Sequence, residues 1–254
     1  MLKEFLKYLE NEVANGSIYV WGGQGQKATN TLIDKLETSA ANKKTAKALL
    51  KKRIKAGFKE VRAFDCSGLV TKAMDETGIM KKGFDTTANG LKKHYVKSLK
   101  RWELKPGDLV FRVNSAGKAY HVGVVADWDL NVIEARGRAY GVVKRGINAS
   151  GKGYWNAYGR PTALREEIEE NAQPFILKRL LKKKIVRMRG DDVKAVQKML
   201  INSGYPCGKD GADGIFGNYT DLAVRAFQTA HKLKADGIVG KTTITALGGE
   251  WGLK

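Results

Sequence analysis

Asp65-Cys66-Ser67-Gly68-Leu69-Val70 constrains this chain more than any other stretch, because it sets one of only two cysteines where a helix begins. Leu69, Val70, Ala73 and Met74 recur at helical spacing after it, and Gly78 is a natural stop. A thiol at a helix start meets unpaired backbone N–H groups and the positive end of the helix dipole, and both favour thiolate over thiol. Thiolate is the nucleophilic form, so the segment suits covalent catalysis. A small buried core cysteine is the competing reading of the same residues.

Tyr120-His121-Val122-Gly123-Val124-Val125-Ala126 reads as a strand, and Asn131-Val132-Ile133-Glu134-Ala135 as its hairpin partner across Asp127-Trp128-Asp129. A turn centred on Asp127 and Trp128 sets His121 directly opposite Glu134. Opposed β-carbons lie about 4.5–5.5 Å apart, close enough for a carboxylate to orient an imidazole. The chain therefore offers a nucleophile, a base and an orienter in the order Cys66, His121, Glu134. The plainer readings are a strand histidine bonded to a chance neighbour and an exposed strand glutamate. His94 reads as a solvated helix end, and His231 as a helix cap or surface residue. Two distant cysteines and three scattered histidines show no zinc-type spacing, so neither a metal nor another cofactor is expected.

The rest of the chain reads as a different unit. Glu166-Glu167-Ile168-Glu169-Glu170-Asn171-Ala172-Gln173-Pro174 is acidic and Pro-ended, a connector by composition. Asp191 and Asp192 then open a helix lined by Val193, Val196, Leu200 and Ile201, and a second helix carries Leu222, Ala223, Ala226, Phe227 and Ala230. Ala212-Asp213-Gly214-Ile215-Phe216-Gly217 is echoed by Ala235-Asp236-Gly237-Ile238-Val239-Gly240. Each copy predicts a glycine-governed turn feeding a helix, with Ile215 and Ile238 pinned to the core. Cys207 reads as an incidental free thiol. The expected layout is a domain over residues 1–165, a linker over 166–176 and a small domain over 177–254.

Charge is distributed unevenly over this layout. The net charge is +20, and residues 1–165 hold 31 Lys and Arg against 15 Asp and Glu. Such a surface is drawn to polyanions, of which teichoic acids and anionic lipids are the ones on cell envelopes. No nucleic-acid motif or stacking platform accompanies the charge, so no nucleic-acid partner is expected.

Four blocks resemble the NlpC-type cell-wall cysteine peptidases, in that family's order: Tyr19-Val20-Trp21-Gly22-Gly23, Asp65 to Val70, Leu104-Lys105-Pro106-Gly107-Asp108-Leu109-Val110, and His121-Val122-Gly123-Val124. The resemblance implies an α+β, papain-like peptidase domain that hydrolyses peptide bonds in peptidoglycan stems. It carries over Cys66 as nucleophile and His121 as general base, and sets Tyr19 beside the thiol. The chain departs from that pattern twice. Glu134 stands where the family commonly has histidine; a carboxylate holds an imidazolium more firmly than a neutral ring does, which favours a thiolate–imidazolium pair. The related CHAP amidases and peptidases do use glutamate near this position. About forty residues also separate Gly23 from Asp65, where the family usually needs far fewer. This insertion (about 26–61) predicts two short helices, marked by Leu32, Ile33 and Leu36 and by Ala46, Leu49, Leu50 and Ile54. Basic residues surround them, forming either a wall of the substrate groove or a solvated surface hairpin.

Residues 177–249 resemble the small three-helix peptidoglycan-binding domain, which implies a second, all-α unit anchoring the enzyme to the wall. Asp213, Tyr219 and Asp236 are the candidates for glycan contact, against a plainer reading as turn formers and a core-edge aromatic. The whole is expected to be a phage-type endolysin, with an amidase on the same scaffold and a non-catalytic wall binder as alternatives. Met1 to Glu10 lacks the apolar run of a signal peptide and no transmembrane span occurs, so synthesis in the host cytoplasm and action at the cell wall are expected.

Overall fold

Leu2, Phe5 and Leu9 recur one helical turn apart, and α1 (Leu2–Ala14) buries all three in the main core. The computed structural model describes residues 1–151, 153–170 and 175–253. Among these, residues 1–100 and 104–170 form one unit, and residues 101–103 and 175–253 form another. The fold class is α+β, with a mixed first unit and a helical second one.

Two sheets organise the first unit. β1 (Ile18–Tyr19), β2 (Gln24–Lys27) and β3 (Arg62–Phe64) make a small sheet in the order β1-β3-β2. The insertion supplies β2 and two helices, α2 (Asn30–Leu36) and α3 (Ala40–Lys55), capped by the Thr29 and Ser39 hydroxyls. These caps accept the first orphan N–H groups of each helix. Ile33, Ala46, Leu49 and Leu50 pack over Ile18, Val20 and Ala63, whereas Ile54 stays exposed beside Lys51, Lys52 and Lys55. α4 (Cys66–Glu76) follows β3 directly. A single turn, α5 (Ala88–Gly90), then runs into a π-helical stretch over Leu91–Tyr95.

The large sheet has the order β4-β9-β5-β6-β7-β8. Its strands are β4 (Val96–Ser98), β5 (Leu109–Val113), β6 (Ala119–Val125), β7 (Asn131–Ala135), β8 (Val142–Gly146) and β9 (Ala157–Pro161). Side chains alternate across it. Leu109, Phe111, Val122, Val124 and Ile133 face the core shared with α1 and α4, while Val110, Val125 and Val132 face a smaller core with Trp155 and Leu104. The Pro106-Gly107-Asp108 block holds the β5 end of the sheet. Asp108, fully buried, takes two bonds from Arg160 at 2.9 and 3.0 Å, and Gly107 lies against Leu2 and Ile168 where a β-carbon has no room.

The β6–β7 register corrects the expected hairpin. Val124 pairs with Ile133 and Val125 with Val132, so the connection closes around Asp127 and Leu130 and not on a two-residue turn at Asp127-Trp128. Carried along the pair, this register sets Glu134 against Gly123, two residues on from His121 and on the same face. The physical reason lies in Asp127, whose carboxylate gathers the Asp129 and Asn131 N–H groups, while Leu130 turns the chain at φ 54°.

The expected connector is partly helical. α6 (Arg165–Glu170) buries Ile168 in the main core, and Glu169 pairs with Arg165 and Arg160. Residues 171–174 of that stretch lie outside the described residues. The second unit holds β10 (Ile176–Leu177), α7 (Asp191–Asn202), α8 (Asn218–Ala230), α9 (Lys241–Ala246) and β11 (Glu250–Trp251), with β10 and β11 paired in parallel. Its core corrects one assignment: Ile215 and Ile238 are half-buried, and Phe216 and Val239, one residue on in each copy, are the core anchors. Leu222 is exposed, and Val224 takes the core face with Ala223 and Phe227.

Candidate active site

The first turn of α4 is built by contacts that explain its motif. Asp65 is the cap: Oδ1 accepts from the Gly68 N–H at 2.7 Å and from the Ser67 hydroxyl, and Oδ2 accepts from the Gly22 N–H at 3.0 Å. The Asp65 N–H donates to the Gly23 carbonyl, so two distant glycine-bearing segments close on one carboxylate. A β-carbon on Gly68 would strike that same Gly23 oxygen, and one on Gly23 would lie 2.8 Å from the β3 backbone. Only glycine fits either position.

These contacts aim Cys66 at β6. The backbone N–H groups of Val122, Ser67 and Cys66 itself point at the sulfur. Val122 is the residue after His121, so the thiol lies beside the strand that carries the imidazole. The expectation of a thiolate favoured by the helix start needs correction. Burial, together with the Asp65 charge, outweighs these three donors and pushes the thiol up to about 11. A half-buried sulfur beside a capping carboxylate does not ionise on helix-end electrostatics alone.

His121 and Glu134 meet. The imidazole Nε2 and Glu134 Oε2 are 2.6 Å apart, and both residues are buried, at 8% and 3% exposure. The diagonal placement suits a glutamate, whose longer side chain spans the roughly 7–8 Å between diagonal neighbours. Trp155, 3% exposed, lies nearly parallel to the imidazole with ring centres 5.3 Å apart. With Nε2 taken by Glu134 and one face taken by Trp155, Nδ1 is the remaining ring nitrogen.

Tyr19 sits on the thiol's other neighbour, β1, buried and electrostatically coupled to both Cys66 and Asp65. Burial first, and then the thiol's charge, raise its phenol above the ordinary range, which keeps it a hydroxyl. The Arg138 guanidinium lies 5.1 Å from its ring centre and forms a two-bond pair with Glu37 at 2.8 Å each. Glu37 ends α2 and also accepts the Trp21 N–H, so the insertion is tied to the Tyr19 side of the site. Sequence reasoning missed Trp155, Arg138 and Glu37. No periodicity or spacing marks them, because each reaches the site from a loop or a helix end.

The second unit gives Asp213 and Asp236 matching duties. Gln197 donates to Asp213 Oδ1, the Ile215 carbonyl and the Thr220 hydroxyl, and accepts from the Gly214 N–H. Gln228 repeats this set with Asp236, Ile238, Thr243 and Gly237. Both glutamines are 1% exposed. Tyr219 is 63% exposed and lies over Gly208, whose missing β-carbon makes room for its ring. Cys207 is free and buried, with its thiol pushed up to about 12 by burial. His231 caps α8, and its Nδ1 bonds the Phe227 carbonyl at 2.9 Å. Among the described residues no cluster of His, Cys, Asp and Glu could hold a metal ion, and no helix is long and apolar enough to cross a membrane.

Comparison with known proteins gives the chain relatives for both units. The segment 189–247 matches the family described as "Putative peptidoglycan binding domain". Among curated proteins, N-acetylmuramoyl-L-alanine amidase CwlL of Bacillus licheniformis is 47% identical over 58 residues, 23% of this chain and 16% of that protein. The type VI secretion system spike protein VgrG3 of Vibrio cholerae is 41% identical over 68 residues, 22% of this chain and 7% of that one. The chain thus spans a small part of either relative. Among solved structures, the peptidoglycan hydrolase RipB of Mycobacterium tuberculosis is 22% identical, with a TM-score of 0.38 over 63% of this chain and 65% of that one. RipD of the same organism, a non-catalytic NlpC/p60 domain protein, is 14% identical, with a TM-score of 0.37 over 61% and 97%. The NlpC/P60 profile matches residues 16–158, more than half of the chain and the whole of the Cys66–His121–Glu134 constellation, and the protein belongs to the NlpC/P60 family.

Proposed function

We propose that this protein is a peptidoglycan hydrolase, in which a first domain over residues 1–165 cleaves a stem-peptide amide and a second over 177–254 holds it to the wall. The observation that carries this reading is the 2.6 Å His121–Glu134 contact on the strand whose Val122 N–H meets the Cys66 sulfur. Cys66 attacks the amide carbonyl while its proton passes to His121 Nδ1, so no free thiolate has to persist in the half-buried site. Glu134 stabilises the imidazolium that forms, and backbone N–H groups at the α4 start, with the Tyr19 hydroxyl, meet the oxyanion. His121 returns the proton to the leaving amine, which departs and leaves a thioester. Water then adds with His121 as base, and the carboxylate product and free thiol are regenerated.

Peptidoglycan is the proposed partner and the cell wall the place of action, with anionic envelope polymers drawn to the +20 surface. Tethering by the second domain raises the effective substrate concentration without a new catalytic contact. Amidase action at the muramoyl–alanine bond is the second reading, favoured by the printed name of the CwlL relative. That match is 58 residues long, shorter than the stretch from Cys66 to Glu134, so it leaves the bond to experiment. Mass spectrometry of fragments released from purified peptidoglycan decides. New amino ends within the stem identify the endopeptidase, a new alanine amino end at the muramoyl linkage identifies the amidase, and no release by the intact chain overturns both.

A further inference from the structure

Residues 175–190 of the second unit contain seven Lys and Arg and no acidic residue. Within them, the loop 182–187 reads Lys-Lys-Lys-Ile-Val-Arg and is exposed throughout. Ile185 is fully exposed (105%) and Val186 85%, the two most exposed large apolar residues of the chain. The loop is not a loose end. Leu181 exchanges two backbone bonds with Val239, in the second repeated turn. On the other side, Arg189 bridges Ile215, and Phe216 donates to the Met188 carbonyl, in the first repeated turn. Both core anchors of the domain therefore hold its base and present its tip outward.

Two features of the tip need a common explanation. Lys182, Lys183, Lys184 and Arg187 form no ion pair among the described residues, although Asp221 and Asp236 line the same 560 Å³ hollow as the three lysines and Ile185. Those two carboxylates are engaged elsewhere, Asp221 by Arg225 at 2.9 Å and Asp236 by Gln228 and the Ile238 N–H. Four cations thus flank two apolar side chains that nothing in the domain covers. An anionic polymer would answer the charge, but a sugar–phosphate chain offers no apolar phase for Ile185 and Val186. An anionic phospholipid surface answers both, with phosphates for the cations and an acyl boundary for the apolar tip.

We propose that the 182–187 loop is a docking element for anionic phospholipid bilayers, with Ile185 and Val186 entering below the headgroups and Lys182, Lys183, Lys184 and Arg187 ringing them at the phosphates. It gives the wall-binding unit a second surface to hold. The inference does not depend on the hydrolase reading.

Co-sedimentation of the full chain with vesicles tests it. The protein binds phosphatidylcholine–phosphatidylglycerol vesicles and not phosphatidylcholine alone. Each lysine near the surface contributes about fivefold, so Lys182→Gln/Lys183→Gln/Lys184→Gln weakens binding by on the order of 100-fold. Ile185→Ser/Val186→Ser, which leaves the charge intact, weakens it on the order of tenfold or more. Removing the same number of charges from α3 (Lys43→Gln/Lys44→Gln/Lys51→Gln) has a clearly smaller effect. Vesicle binding by the double-serine variant equal to wild type overturns the proposal in favour of adsorption by charge. Tighter binding to soluble polyphosphate than to vesicles, unchanged by the serines, overturns it in favour of an anionic polymer.

Discussion

The two units solve the same problem, a buried polar side chain, in opposite ways. In the second unit the Gln197 and Gln228 amides each find four partners within about two dozen residues of sequence, and the arrangement occurs twice. In the first unit His121 and Glu134 have one strong contact with each other, and Trp155 stacks on the imidazole. A fully satisfied amide locks a turn and leaves nothing over. An imidazole with one nitrogen held keeps the other free of the glutamate for a proton exchange. That difference separates a polar group that folds the chain from one that is proposed to react.

The largest effect expected from breaking this contrast is at Cys66. Cys66→Ala leaves the fold intact and abolishes turbidity loss of a cell-wall suspension. Lysis equal to wild type would rule out the Cys66 mechanism, whereas no lysis by either protein would show a wall binder without catalysis. Glu134→Gln comes next. The amide keeps the contact but cannot stabilise an imidazolium, so the rate falls by about 10²–10⁴-fold with little change in thermal midpoint. A drop in stability without a rate effect at permissive temperature would give Glu134 the same structural duty as the glutamines.

Stability effects follow. Asp108→Ala removes the buried two-bond partner of Arg160, which keeps its longer contact with Glu169, and costs about 3 kcal/mol, measured by denaturant unfolding. Gln197→Ala and Gln228→Ala each leave several buried groups unpaired and cost about 1–3 kcal/mol. Because the two knots match bond for bond, their costs should agree. A wide disparity would mean that the repeat is geometric and not energetic.

What was legible in the sequence follows the same division. Asp213 and Asp236 declared themselves through a local motif repeated at fixed offset, and the turns and helices after them form as that motif requires. Cys66 was legible as a helix start because Asp65 caps its own turn three residues on. The pairing of His121 with Glu134 was legible, but its geometry was not. Register depends on how Asp127 folds the connection, and a shift of two residues keeps the same face while changing which side chains stand opposite. The thiol's partial burial was legible only as the competing reading of a small core cysteine. It arises where Gly23, Asp65 and β6 converge, and no single segment encodes that convergence. Trp155 and the Arg138–Glu37 pair share this character, since each joins residues more than thirty positions apart.

In the proposed mechanism Cys66 ionises by handing its proton to His121, and not on its own. Burial raises the thiol's pKa on folding from 9.0 to about 11. The folded state therefore holds the proton more tightly than the unfolded one between those values. The stability this contributes is complete below pH 9 and lost as pH rises through 11. Alkylation by iodoacetamide as a function of pH, in wild type and His121→Ala, reads the same ionisation directly, and buried Cys207 stays silent below about 12. Proton transfer to His121 gives ready alkylation of wild type at neutral pH and a profile displaced upward toward pH 11 when the imidazole is gone. Superimposable profiles would contradict it.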